Sequence, residues 1–321
     1  MKLGVVANAL QNKPLAEALI QFRRLGIEYI EPGCGGYAGK AHVNPQKLLQ
    51  DDVAFASFVE MVRKSGVGIS VLSCHGNPVH PNQQMAKAYD RDMRYTVLLA
   101  EKLGIDTISC FSGCPGDSKE SKYPNWVTCA WPDDYLTILA YQWNDVLIPY
   151  WKEFTEFANS HGVTKIALEM HPGFCVYNVY TAHRLRDAVG DAIGVTFDPS
   201  HLLWQGIDPV MAIRNLNGMI YNVHAKDVRI DPYNKAVNGV LDTRHYSEEL
   251  DRSWIFRTVG YGNDIKYWKD IFSALRLIGF DGVISIEHED SLMNQMEGLE
   301  KAVRTLKESM LSKERTGMWW A

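Results

Sequence analysis

His161-Gly162-Val163-Thr164-Lys165-Ile166-Ala167-Leu168-Glu169-Met170-His171 is the phrase on which the fold turns. It ends a helical stretch on a glycine, passes through a short apolar run and stops on polar residues. A glycine just past a helix favours the left-handed C-cap, and a short apolar run after it suits a strand covered on both faces. The phrase recurs. Similar helix-to-glycine closings stand at Leu25-Gly26, Ser65-Gly66, Leu103-Gly104 and Ile278-Gly279. Apolar strand runs are expected over Leu3–Asn8, Tyr29–Pro32, Ile69–His75, Thr107–Ser112, Lys165–His171, Ile193–Asp198, Ile220–His224 and Val283–Glu287. Between them lie amphipathic helices; Leu15, Ala18, Leu19, Phe22 and Leu25 share one face.

Strands of this kind alternating with helices imply a parallel sheet under a helical layer, because each parallel connection needs a crossover. Eight such units in 321 residues fit a closed (β/α)8 TIM barrel, one domain over residues 1–321. An open doubly wound sheet is the competing fold, but Asn8-Ala9-Leu10-Gln11 follows the first strand where a glycine-rich phosphate turn belongs. Two stretches exceed what a bare barrel needs, residues 113–131 and 228–263. Loops after strands build the active face of this fold, so both are expected to roof its C-terminal mouth.

Composition narrows the function. With 46% hydrophobic and 22% charged residues the chain is globular rather than disordered. Thirty-eight acidic against 33 basic residues leave a net charge of -5, the wrong sign for a nucleic-acid binder. The apolar run at the amino terminus is too short for a signal peptide, and no segment approaches the roughly 18 apolar residues of a membrane span. A cytoplasmic location is expected. Six cysteines without CxxC spacing, Cys34, Cys74, Cys110, Cys114, Cys129 and Cys175, read as free thiols.

The informative residues end otherwise apolar strands: Glu169, Asp198, His224 and Glu287, on four successive strands. A barrel brings such ends to one cavity. Three carboxylates packed there repel one another and lose hydration, at several kcal/mol per unpaired ion. A divalent cation satisfies all four side chains at once. The oxygen-rich set with one imidazole suits Mn²⁺ best, with Mg²⁺ or Co²⁺ as alternatives. The bland alternative is four unrelated strand-end groups bonded to neighbouring loops. Near them stand His75, His171, His201, Lys226 and Asp227, suited to orient a ligand, grip a substrate hydroxyl or solvate the rim.

Leu168-Glu169-Met170-His171-Pro172, Phe197-Asp198-Pro199-Ser200-His201, Val223-His224-Ala225-Lys226-Asp227 and Gly282–Glu287 resemble the four signature strands of the xylose isomerase-like sugar phosphate isomerase/epimerase family. Val259-Gly260-Tyr261-Gly262 and Gly279-Phe280-Asp281-Gly282 resemble that family's glycine-rich turn before the last helix and its closing strand. The resemblance implies a metal held by Glu169, Asp198, His224 and Glu287, with Glu169 and Glu287 also acting as the acid/base pair. It implies substrate contacts from His201, and His75, His171 and Lys226 are grouped with it as substrate-binding candidates. Cys175 stands six residues after the first ligand, where the ketose 3-epimerases carry a second glutamate.

The expected chemistry is proton abstraction beside a carbonyl through an enediolate, giving sugar isomerisation or epimerisation. Two alternatives stand beside it: a metal-dependent lyase acting on 3-oxo-glycosides, like the C-glycoside deglycosidases, and a non-catalytic sugar-binding subunit. Trp126, Trp131, Trp143 and Trp151 are candidates for a sugar-stacking roof, though Trp143 and Trp151 fit a helix core better. Arg229, Arg244, Arg252 and Arg257 suit an anion or nothing. Trp319-Trp320 near the carboxyl terminus mark an expected interface, in a homo-oligomer or with a partner subunit.

Overall fold

All 321 residues are described by the structure, a computed structural model. The first strand, β1 (Lys2–Val6), pairs in parallel with β2 (Tyr29–Glu31). Pro32 interrupts the second strand, which resumes as β3 (Gly33–Gly36); proline has no N–H to give to a ladder. The third strand is likewise broken into β4 (Gly68–Ile69) and β5 (Leu72–His75). Then follow β6 (Thr107–Cys110), β7 (Lys165–Glu169), β8 (Ile193–Phe197) and β9 (Ile220–Ala225). After β10 (Asp227–Ile230) and β11 (Trp254–Arg257) comes the closing strand, β12 (Val283–Ile286).

Closure is visible in the pairing. The sheet runs β3-β5-β6-β7-β8-β9-β12-β1-β2-β4, all parallel. Because β2 pairs with β4 and β3 with β5, the two broken strands meet along their length and the sheet returns on itself. The expected eight strands are therefore ten segments of one barrel. Val5, Ile30, Leu72, Ile108, Ile166, Val195 and Ile284 belong to a single core of 62 buried residues that also takes the inner faces of the helices. The glycines expected to end helices do so at positive φ, as at Gly26 (78°) and Gly104 (71°).

The late insertion is more ordered than a loop. Within 228–263, β10 and β11 form an antiparallel ribbon, and Pro232–Asn238 is helical, capped by the Asp231 carboxylate. Asp227 anchors its base by accepting from the backbone N–H groups of Gly260, Gly262 and Asn263 and from Trp268 Nε1. That use explains the glycine-rich turn, where a Cβ on Gly262 would strike the Val228 carbonyl. The helix that follows it, Ile265–Leu277, is the penultimate one rather than the last. No helix is long and apolar enough to cross a membrane.

Candidate metal centre

Glu169 ends β7, Asp198 follows β8, His224 lies in β9 and Glu287 follows β12, so parallel register sets all four at one end of the barrel. One ligand atom from each lies within 4.8 Å of those of the other three. Asp198 divides its duties: Oδ1 accepts from the Ser200 N–H at 2.8 Å, capping helix Pro199–Trp204, which leaves Oδ2 facing the centre.

The buried atoms at the centre lack partners. Asp198 Oδ2, His224 Nδ1 and Glu287 Oε2 make no hydrogen bond. They are nevertheless close to other charged groups: His224 Nδ1 is 3.0 Å from Glu287 Oε2, and Lys226 Nζ is 3.1 Å from Asp198 Oδ2. Close approach without hydrogen-bond geometry is what atoms aimed at a common third point show. Buried polar atoms left unpaired cost free energy, and a cation among them removes that cost. The donor set of three carboxylates and one imidazole fits a hard divalent ion.

A second tier fixes these groups. Glu31, at the end of β2 and wholly buried, lies 3.0 Å from His224 Nε2. It also accepts from Asn222 Nδ2 at 3.0 Å and from the Ser73 hydroxyl. A carboxylate on Nε2–H leaves the Nδ1 lone pair for the centre, the arrangement that orients a metal-binding histidine. Glu169 lies between two imidazoles, with His75 Nε2 3.0 Å from one oxygen and His201 Nε2 3.2 Å from the other. His171 stacks near His201, ring centres 4.0 Å apart, while its Nδ1–H donates to the Pro172 carbonyl.

Charge interactions override burial at most of these groups. Burial alone would raise Glu169 and Glu287, yet the adjacent His201 and His75 imidazoles hold the first well below the usual carboxylate range, and the charges of Lys226 and His224 hold the second there. Asp198 goes the other way. Burial, reinforced by Glu287 and Glu169 against the pull of Lys226, pushes it up to about 7. Burial opposes charge on His224 and Lys226 as well, but Glu31 and Glu287 lift His224, and Asp198, Glu287 and Glu289 lift Lys226, well above their ordinary values. The metal-free site thus relieves its own repulsion with protons.

A cavity of about 390 Å³ opens onto Glu169, Glu287, His75, His224 and Lys226. A second, of about 350 Å³, adjoins it and is lined by His171, Tyr246, Ile255, Phe256, Glu289 and Ser291. His171 and Glu289 line both.

Every residue marked in the sequence as a ligand or substrate contact is therefore gathered here, with His201 under the ring of Phe256 at 5.4 Å. Two expectations are corrected. Residues 113–131 do not line the two chambers; Trp126 and Cys129 border a separate cavity with Cys114, Trp143 and Cys175. Only the late insertion contributes, through Tyr246, Ile255 and Phe256. Trp143 and Trp151 are buried in the core and Trp131 is exposed, so no tryptophan of that group stacks over the centre. The chambers' aromatic walls are Phe256 and Tyr246 on one side and Tyr37 and Phe111 on another. Asp227 is structural, and all six cysteines are free. Glu31, Asn222 and Ser73 carry no motif of their own, though Glu31 has one local signal, an acid closing the apolar Tyr29-Ile30 pair as Glu169 closes its strand.

The family described as xylose isomerase-like TIM barrel matches residues 20–309. The chain is 39% identical over 312 residues to the uncharacterized protein YfiH of Bacillus subtilis (strain 168), covering 97% of this chain and 99% of that one. It is 25% identical over 168 residues to the inosose dehydratase of Geobacillus thermodenitrificans (strain NG80-2), about half of each protein, 51% and 54%. Among solved structures, a D-tagatose 3-epimerase-like protein superposes with a TM-score of 0.64 at 21% identity, covering 96% of this chain and 97% of that one. The IolI protein, solved with a binding zinc atom, gives 0.62 at 20% identity with 96% of each chain covered.

Proposed function

The chain belongs to the xylose isomerase-like TIM-barrel family, and from that premise we propose that its cavity is a divalent-metal centre, Mn²⁺ foremost, for isomerising or epimerising a sugar. The observation that carries the proposal is the convergence of Glu169, Asp198, His224 and Glu287 within 4.8 Å, three of them with an unpartnered buried atom. An ion held by these four supplies Lewis-acid stabilisation of the negative charge that appears when a proton leaves carbon beside a carbonyl. The rest is the work of side chains. Glu169 and Glu287 are both ionised, which suits one to take the proton from carbon and the other to return one. Return to the opposite face of the same carbon inverts it; return to the neighbouring carbon isomerises the sugar. His75 and His201 keep the Glu169 oxygens from swinging, and His201 also faces Asp198 Oδ2 at 3.5 Å.

A second reading, elimination, is favoured by Lys226. Its ammonium lies 3.0 Å from Glu287 Oε2 and is a proton donor for an oxygen leaving from the β carbon. A carboxylate takes the α proton, the C–O bond breaks, and Lys226 protonates the departing hydroxide or alkoxide as water or alcohol. The partial likeness to inosose dehydratase supports that reading, and a lyase acting on a 3-oxo-glycoside uses the same steps. Incubation of the Mn²⁺-supplemented protein with ketoses in D₂O, followed by NMR, tests the proposal. Deuterium wash-in beside the carbonyl that is lost in Glu169→Gln supports it. Sugar binding with no wash-in in any substrate overturns it in favour of a non-catalytic binding subunit.

A further inference from the structure

The substrate class can be read from the charges that are already spent. Lys226 is the one ammonium in the inner chamber, and its contacts go to Asp198, Glu287 and Glu289. The four arginines of the late insertion are also committed. Arg229 donates to the Gly262 carbonyl at 3.3 Å, and Arg244 to Asp242 and the Asp251 carbonyl. Arg252 is buried and donates to the Trp254 carbonyl at 3.2 Å, while Arg257 pairs with Asp290 at 3.1 Å. None of the four lines either chamber. Three carboxylates, Asp198, Glu287 and Glu289, lie within 3.3 Å of that one ammonium, and Glu169 and Glu31 stand nearby against His75 and His224, so acidic side chains outnumber the ammonium in the chamber. A phosphate group entering such a cavity is repelled and loses its hydration without compensation.

Shape adds a second constraint. The inner chamber alone, about 390 Å³, falls within the range of a small-molecule site. The adjoining 350 Å³ is nearly a second site of the same size. One of its walls is aromatic: Tyr246 and Phe256 stack with planes 20° apart and centres 6.0 Å apart, and Phe256 packs at a tilt on Trp254 at 5.2 Å. Tyr246 is more than half exposed and lines the chamber, with the Arg252 guanidinium 4.4 Å from its ring. Aromatic faces take the apolar side of a ring.

We infer that the substrate is an uncharged polyhydroxy carbonyl compound carrying a second ring, its polyol half over the four ligands and the second ring against Tyr246 and Phe256. This deepens the metal-centre reading by naming what that site accepts. Binding rather than turnover tests it, with calorimetry on the full chain, with and without Mn²⁺. The probes are methyl β-glucoside, phenyl β-glucoside, cellobiose and glucose 6-phosphate. A second ring is expected to tighten binding about tenfold over the methyl glycoside, which is about 1.4 kcal/mol. Phenyl and cellobiose arms separate an aromatic second ring from a sugar. Glucose 6-phosphate is expected to bind at least about tenfold more weakly than the methyl glycoside. Tyr246→Ala and Phe256→Ala should each bring the second-ring advantage toward one, and Trp131→Ala, remote from both chambers, should leave it. The inference is overturned if glucose 6-phosphate binds as tightly as the methyl glycoside, or if neither second ring improves binding. Absence of Mn²⁺ binding with the same order of affinities sinks the metal-centre reading alone.

Discussion

From Lys165 to Glu287 the strands β7, β8, β9 and β12 deliver Glu169, Asp198, His224 and Glu287 toward one point. From Lys2 to Cys110 the strands instead deliver groups that hold those side chains from the opposite wall. Glu31 bonds to His224, Ser73 to Glu31, His75 to Glu169, and Ser109 to Thr196 at 2.7 Å. The late half of the barrel thus supplies the four candidate ligands, and the early half positions them while also lining the inner chamber through His75, Tyr37 and Phe111. A precise site needs both, since ligands whose rotamers are left free cost affinity when an ion must order them.

This division can be broken most sharply in the late half. Glu169→Gln or Glu287→Gln is expected to lower turnover by roughly 10²–10⁴-fold or more, because each loses a ligand charge and a proton carrier together. Thermal unfolding should stay close to the parent, and near-normal rates in both variants would refute their roles. Glu31→Gln attacks the early half. It keeps the shape but removes the charge on His224 Nε2, so Mn²⁺ affinity should fall roughly 10–100-fold in a direct titration. An unchanged affinity would show that the early wall is mere packing.

The third test is pH. In the metal-free protein Asp198 is held protonated up to about 7 by burial and by Glu287 and Glu169. That proton must leave before the oxygen can coordinate. His224, lifted well above its ordinary value, must give up a proton as well, so Mn²⁺ affinity should drop at least about tenfold for each unit below pH 7, with proton release on binding seen by calorimetry in buffers of different ionisation enthalpy. Affinity independent of pH between 5 and 7 contradicts the crowding of carboxylates around Asp198. The smallest effect belongs to Ser73→Ala, which removes one of three hydrogen-bonded neighbours of Glu31. A loss of about 1 kcal/mol in unfolding free energy and a metal affinity changed less than in Glu31→Gln are expected.

The same two halves differ in how much of them could be read beforehand. Glu169, Asp198, His224 and Glu287 were legible because each sits at the polar end of an apolar strand, and the barrel does the rest. Glu31 obeys the same rule, but its meaning depends on His224, 193 positions away, and nothing local says that the two strands face each other across the barrel. The ribbon of β10 and β11 was hidden for a related reason. Its strands pair only with each other, and Asp231–Ser253 lies between them instead of a short turn that would announce a hairpin. Trp126 and Trp131 mislead through composition, since neither lines a chamber, whereas Trp143 and Trp151 are core residues as their helical setting suggests. Trp143 and Trp151 belong to helices that pack on the barrel, while the chamber walls are built by Phe111, Phe256 and Tyr246, ordinary aromatics until topology places them.

Equilibrium titration of the chelator-treated protein with Mn²⁺, read by the electron paramagnetic resonance of the free ion, asks the central question directly. One ion per chain should be bound, with the stoichiometry lost in His224→Ala and in Asp198→Ala. Failure of the parent protein to bind, or full retention of the ion by both variants, would contradict a metal centre built from these four side chains.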